Sequence, residues 1–420
     1  MENNSSWKMP FFTFWISQAI SLLGSGLASF ALVWWMTSAT NSATVLATAS
    51  MATLLPGILI GPFAGALIDR LNRKWVLIAS DALSALGALI LVWLFFDQTI
   101  QPWHIYLINA LRSLAGALQH PSVQSTTSLM VPKDQLVRVA GLNQALQGLT
   151  MVATAPLGAW LLAWLPIHSI LMIDVVTALF AIGLLAVIAI PRPQLSETAA
   201  VTFYTVWQDM RAGWSFLRQR RGLLQVMGIA TLLNLVLTPA FTLVPILVTA
   251  YFHKTEVELG WMNAAYGFGI IGGGAVLGSW GGFKRRILTS LLGLAGLGVG
   301  SLLIGFTAPN AFALAIAGMA LIGVMNTFAN GPFFAILQSI VPAKMQGRVF
   351  TVLMSISMAA TPVGLALAGP LADRLGVQLW YRLGAGVCFF MVAWIVFSPQ
   401  ILHLEETEAP LKAASEKSLS

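Results

Sequence analysis

Twelve stretches of this chain run for about twenty residues or more, enough to cross a bilayer as a helix, with almost no charge. They lie near 11–37, 44–68, 75–96, 103–130, 136–165, 168–190, 223–251, 258–281, 287–307, 310–340, 345–372 and 377–399. Only 9% of the residues are charged, against about 25% in a soluble domain. A chain so poor in charge has too little polar surface to face water, so lipid is the expected solvent. Within lipid every backbone N–H and C=O needs a partner from the chain itself, which leaves helices for runs of this length. The expected fold class is therefore all-α and integral to the membrane, with twelve transmembrane helices.

The basic residues set the orientation. With the N-terminus in the cytoplasm, alternate loops and the two ends hold Lys8; Arg70, Arg73 and Lys74; Lys133 and Arg138; Arg192, Arg211, Arg218, Arg220 and Arg221; Lys284, Arg285 and Arg286; Lys344 and Arg348; and Lys412 and Lys417. The opposite loops hold only Lys254, Arg374 and Arg382, and Arg112 lies inside a run. The positive-inside rule selects this topology, with both termini cytoplasmic and the chain in the cell (inner) membrane. The net charge of +7 then reports orientation, and nucleic acid is not an expected partner, because no soluble surface gathers the charge. The first run is too long for a signal-peptide core and is expected to be retained. Cys388 is the one cysteine, so no disulfide forms within the chain. The five histidines lack ligand spacing, and neither a metal nor a cofactor is expected. "GFGIIG" (267–272) matches a dinucleotide-binding pattern, but it sits in an apolar run with no strand before it and is set aside.

The text repeats at half its length. "VPKDQLVRV" (131–139) is echoed by "VPAKMQGRV" (341–349), Pro121 by Pro332, "APLG" (155–158) by "TPVG" (361–364), and the basic cluster at 70–74 by that at 284–286. Such a repeat implies two six-helix bundles of like topology, 1–195 and 223–400, as in one large class of secondary transporters. Between them, 196–222 forms a cytoplasmic linker. Phe203, Val206, Trp207, Met210, Trp214 and Leu217 recur there at helical spacing, with Arg211 and Arg218 assigned to other faces. This predicts an amphipathic helix on the membrane surface, with Arg220 and Arg221 near anionic lipid. The tail, 401–420, is acidic and Ser-rich and is expected to be disordered.

"GALIDRLNRK" (65–74) places its charges between the second and third runs. Topology accounts for Arg70, Arg73 and Lys74 but not for Asp69, since acids contribute little to orientation. The stretch resembles the Gly-x-x-x-Asp-Arg-x-x-Arg-Lys signature of the major facilitator superfamily. Asn72 stands where a Gly is common, and Asn also tolerates left-handed backbone. The resemblance implies a cytoplasmic latch built on Gly65, Asp69, Arg70, Arg73 and Lys74, with Asp69 pairing with basic groups and a helix N-terminus. From "WISQAISLL" through "LRSLAGALQHP" and "AGLNQALQ" to "GRVFTVLMSI" and "GLALAGPLADRLGV", nearly the whole chain resembles a drug:proton antiporter branch of bacterial macrolide efflux proteins. That implies export of small amphipathic drugs coupled to the proton gradient; a monomer is expected.

Three ionisable residues fall inside runs: Asp81, Arg112 and Asp174. Each costs several kcal/mol in mid-membrane unless paired or hydrated. Asp81 and Arg112 are expected to face the bundle interior and interact, and Asp174 to sit too near the outer edge to join them. Burial of a carboxylate and a neighbouring guanidinium push its protonation in opposite directions, so Asp81 or Asp174 is a candidate proton carrier, with a fixed ion pair as the structural alternative. The resemblance places the first, fourth, seventh and tenth helices around the cavity. On them stand Gln18, Trp34, Asn109, Arg112, Gln119, His120, Asn234, Asn326 and Asn330. A mostly apolar cavity with few polar groups suits bulky lipophilic ligands. Gly57, Gly61, Gly274 and Gly278 recur every four residues and are assigned to close packing at the gate, with Pro156 and Pro362 as bends. A second transporter reading is export of one natural product, such as a siderophore or peptide antibiotic. An integral-membrane enzyme or receptor would need a cluster of acids, bases or metal ligands that the sequence does not offer.

Overall fold

A computed structural model describes residues 7–132, 135–188 and 203–402. The side chains of 62–67, 69, 70, 137, 203–206, 209, 343 and 344 also lie outside what is described. The expectations for Gly65, Asp69 and Arg70, for the start of the linker and for the tail therefore fall outside the described residues.

Every described element is helical: α1 (Lys8–Thr40), α2 (Ala43–Arg70), α3 (Arg73–Phe96), α4 (Pro102–Met130), α5 (Leu136–Trp164), α6 (Ile167–Val187), α7 (Phe203–Gln219), α8 (Arg221–Thr242), α9 (Val244–Ile246), α10 (Glu256–Trp280), α11 (Arg286–Phe306), α12 (Phe312–Ile340), α13 (Ala343–Leu375), α14 (Gln378–Phe397) and α15 (Pro399–Leu402). A π-helical turn, Leu247–Tyr251, extends α9. Among the described residues, ten helices are long and apolar enough to cross a membrane. The two other long helices, α4 and α10, fall short because α4 carries Asn109, Arg112, Gln119, His120 and Gln124, while α10 is rich in glycine and opens on Glu256 and Glu258. With these two, the long helices number twelve, the fold class read from the sequence.

The chain divides into two units. One comprises Met1–Asn41, Thr48–Phe203 and Lys254–Gly260; the other comprises Ser42–Ala47, Tyr204–His253 and Trp261–Ser420. Inside the first, α3 packs on α6 and α4, and α1 on α6 and α5. Inside the second, α11 packs on α14 and α12, and α8 on α14 and α13. The two pairing patterns are the same with α1, α3, α4, α5 and α6 replaced by α8, α11, α12, α13 and α14. The repeat in the sequence is thus a repeat in packing. Its glycines show why. A Cβ on Gly158 of "APLG" would stand 2.7 Å from the Phe30 ring of α1, and one on Gly364 of "TPVG" would run into the Leu235 carbonyl of α8. Helix backbones approach this closely only where no side chain intervenes. In the second unit Asp373, in the last turn of α13, accepts hydrogen bonds from the Ala43 and Thr44 amides and the Ser42 and Thr44 hydroxyls. An acid at exposed helix N-terminal amides is favourable on dipole grounds.

The loop between α2 and α3 is built from its own residues. Asn72 is extended (φ −72°, ψ 109°), and its Oδ1 accepts from the Lys74 amide at 3.1 Å, capping α3. Asn is therefore suited here as an N-cap, not for the left-handed backbone that the sequence comparison with Gly invoked. Lys74 Nζ donates to the Ala186 and Ile188 carbonyls at 2.7 and 2.8 Å, neutralising the C-terminal end of α6. Arg73 Nη1 reaches the Ser125 carbonyl of α4. Both basic residues thus brace the first unit from within, around a core of Phe11, Phe14, Leu77, Met130 and Leu185.

Candidate functional site

The first unit encloses a cavity of about 540 Å³ between α1, α3, α4 and α5. Its wall is unusually polar for a membrane interior. Six amide side chains line it: Gln18, Gln119, Gln124, Asn143, Gln144 and Gln147, with His120 beside them. Asp81 is the one acid in the wall and is 2% exposed. Helical spacing assembles this wall, since Gln18, Ser21 and Ser25 recur every three to four residues on α1, as do Asp81 and Ser84 on α3.

Asp81 is held on one oxygen and open on the other. Its Oδ1 accepts from Gln119 Nε2 at 2.8 Å and from Ser21 Oγ at 3.2 Å. The same Gln119 nitrogen reaches Gln18 Oε1 at 3.4 Å. Asp81 Oδ2 is buried with no hydrogen-bond partner among the described residues. Trp15 Nε1 donates to Asn143 Oδ1 at 2.8 Å and fixes the opposite wall. A buried carboxylate with one uncommitted oxygen and no cation on it is a site for a proton or a donor.

Arg112 does not meet Asp81. Its Nη2 donates to Asp174 Oδ2 at 2.8 Å, and Ser25 Oγ donates to Asp174 Oδ1 at 2.9 Å. Depth explains the choice of partner. Measured from the helix ends on one side, Arg112 lies about 15 Å along α4, Asp174 about 10 Å along α6 and Asp81 about 22 Å back from the end of α3, at 1.5 Å per residue. Gln119, two turns beyond Arg112, lies about 25 Å along α4 and so meets Asp81. The expected Asp81–Arg112 contact is therefore replaced by Arg112–Asp174. The result is one acid with a permanent counter-charge and one without.

The second unit has a cavity of about 320 Å³, lined mostly by Leu, Ile, Val, Ala and Phe from α8, α11 and α12. Asn234, Asn326 and Asn330 line it together, with Thr238, Tyr266, Ser290 and Ser301. Asn234 donates to the Ala230 carbonyl and accepts from Thr238 Oγ1 at 3.4 Å, and Asn330 donates to the Asn326 carbonyl; a carbonyl oxygen accepts two hydrogen bonds, so both side chains have room for a further donor. The Phe241 and Tyr266 rings meet at a tilt of 51°, with centroids 5.0 Å apart.

The structure thus brings Gln18, Gln119, His120 and Asp81 to one cavity, and Asn234, Asn326 and Asn330 to another. Trp34 and Asn109 are half-buried and line neither. Gly57 lies against Ser113, whose Oγ accepts from its amide. Gly61, Gly274 and Gly278 have open space where a side chain would stand. The close approach on α10 occurs instead at Gly269 and Gly273, against the backbone of α12 at Ala320 and Val324. Pro156 and Pro362 lie inside α5 and α13. Ser21, Ser25 and Asn143 are site residues that the sequence reading passed over. Their signal was the spacing from Gln18 on α1 and the amide run of α5.

A family model described as transmembrane secretion effector matches residues 7–419. The chain is 30% identical over 408 residues to macrolide efflux protein A of Streptococcus pyogenes, covering 97% of this chain and 100% of that protein. It is 24% identical over 389 residues to the multidrug efflux pump Tap of Mycobacterium tuberculosis, covering 88% of each. Among solved structures, the nucleoside transporter NupG superposes with a TM-score of 0.70 at 10% identity, over 92% of this chain and 98% of that one. At that identity the likeness is one of fold.

Proposed function

The chain belongs to the transmembrane secretion effector family of the major facilitator superfamily, and from that membership we propose that it exports hydrophobic or amphipathic drugs of the macrolide type in exchange for protons, by alternating access. The names of its relatives, a macrolide efflux protein and a multidrug efflux pump, support the substrate class. The greasy cavity of the second unit suits apolar ring surface, and the amide-lined cavity of the first suits hydroxyls and carbonyls. Both termini are cytoplasmic, and a monomer is the working unit, since one chain carries both cavities. The 65–74 motif serves as the cytoplasmic latch, its loop anchored by Arg73 and Lys74.

One observation carries the proton half of this reading. Asp81 is buried in a cavity wall, braced by Gln119 and Ser21 on one oxygen and open on the other, while Asp174 is committed to Arg112. Neutralisation by a proton removes a buried charge from Asp81, and its loss leaves an anion with two donors in place. Asp174 is the structural acid. The test is Asp81→Asn in proteoliposomes with an imposed proton gradient. The variant should fold, bind drug and release no protons on adding drug. Gradient-driven export at the wild-type rate by this variant, or export that survives an uncoupler in the wild type, would refute the coupling.

A further inference from the structure

Among the described residues of α7, Gly213 and Leu217 are buried. A Cβ on Gly213 would stand 2.6 Å from the Arg348 carbonyl and 3.0 Å from Val352 Cγ2, so α7 lies backbone-close on α13. Leu217 is 0% exposed, and Arg220 covers the Phe216 ring at 3.8 Å. With the helix pinned this way, Trp207, Arg211, Trp214 and Arg218 fall within about 60° of one another, at 3.6 residues per turn. All four are exposed, Trp207 by 57% and Trp214 by 40%. The sequence pattern set the two tryptophans on the apolar face of a membrane-surface helix and the two arginines on other faces; here the four side chains share one exposed stripe.

We propose that this Trp–Arg–Trp–Arg stripe is a docking surface for the anionic phospholipid headgroups of the leaflet at the cytoplasmic end of α8. Position comes first. Only Arg220 separates α7 from α8, a membrane span, so α7 lies at the bilayer boundary. Chemistry comes second. Indole rings settle at the headgroup level, apolar body toward the chains and N–H toward water. Guanidinium groups meet phosphate oxygens through paired hydrogen bonds. Two arginines alternate with two tryptophans along one line, and Arg221 follows at the start of α8. A protein partner would find the same arginines without needing indoles at bilayer depth. The inference concerns α7 alone and stands whether or not the export reading does.

The test uses the full-length protein in nanodiscs of phosphatidylcholine, with or without phosphatidylglycerol. Gln208, exposed beside the stripe, is changed to Cys for a fluorophore, the native Cys388 being buried and free. Quenching by headgroup spin-labelled phosphatidylglycerol should exceed quenching by labelled phosphatidylcholine and should weaken with salt. Arg211→Gln with Arg218→Gln should lower phosphatidylglycerol affinity about twenty-fivefold, at about fivefold per basic side chain, and lysines at both positions should restore most of it. Equal quenching by the two lipids would overturn the proposal. So would an unchanged affinity in the double Gln variant, with circular dichroism showing both proteins folded.

Discussion

The Arg112–Asp174 pair gives the sharpest energetic prediction. Its atoms are 2.8 Å apart, and the side chains are 13% and 2% exposed. Asp174→Asn leaves Arg112 charged and without a counter-ion. Removing one member of a buried pair costs about 3–5 kcal/mol, because the remaining charge stays desolvated. Two features put this site near the lower bound, at about 3 kcal/mol: asparagine keeps a carbonyl for the guanidinium while its NH2 can donate to the Ser25 hydroxyl, and Arg112 retains some exposure. That is roughly a 150-fold fall in the folded-to-unfolded ratio. Arg112→Gln should cost a similar amount by stranding the carboxylate. The double variant carries no charge to strand and should be at least as stable as the better single one, a coupling above about 2 kcal/mol. The assay is reversible unfolding of the purified protein in mixed micelles with increasing SDS, followed by circular dichroism. Losses that add to within about 0.5 kcal/mol would refute the reasoning, because two residues that do not interact behave that way.

Two further stability effects follow from backbone geometry. Gly364→Ala forces a methyl group onto the Leu235 carbonyl and should cost about 1–3 kcal/mol, whereas Gly274→Ala meets open space and should be neutral or stabilising by up to about 1 kcal/mol; thermal melts in detergent separate the two. Asn72→Ala removes the α3 cap and should cost about 1 kcal/mol, while Asn72→Gly, the residue common in the family motif, should cost only a few tenths, measured in the same melts.

The helices were legible because lipid imposes a single solution on a long apolar run, and the two-unit plan because "VPKDQLVRV" and "VPAKMQGRV" survive as text. Side-chain partners were not legible in the same way. Arg112 has acids available on two neighbouring helices, and the choice depends on depth from a common edge and on which way each helix face turns. Arg112 is about 5 Å from Asp174 in depth and about 7 Å from Asp81. Glycine contacts within the second unit were not legible for a related reason. "GFGIIGGGAVLG" offers Gly269 and Gly273 as well as Gly274 and Gly278 at four-residue spacing, and spacing alone does not say which pair meets the backbone of α12. On α7 the contact with α13 runs through Gly213, a residue with no weight in an apolar pattern, so that contact was not legible in the sequence. Asp81 was legible as a residue that lipid should reject; its one uncommitted oxygen was not.

The span that carries Arg112 is made well before the span that carries its counter-charge. Asp174 lies 62 residues downstream, which at ribosomal speed is an interval of about 3–12 s. During that time the Arg112 guanidinium has no anion from α6, and an unpaired charge at mid-membrane costs about 2.5–3.5 kcal/mol on insertion scales. The pair therefore ties the two spans together in biogenesis as well as in the finished fold: the earlier helix gains its counter-charge only when the later one arrives.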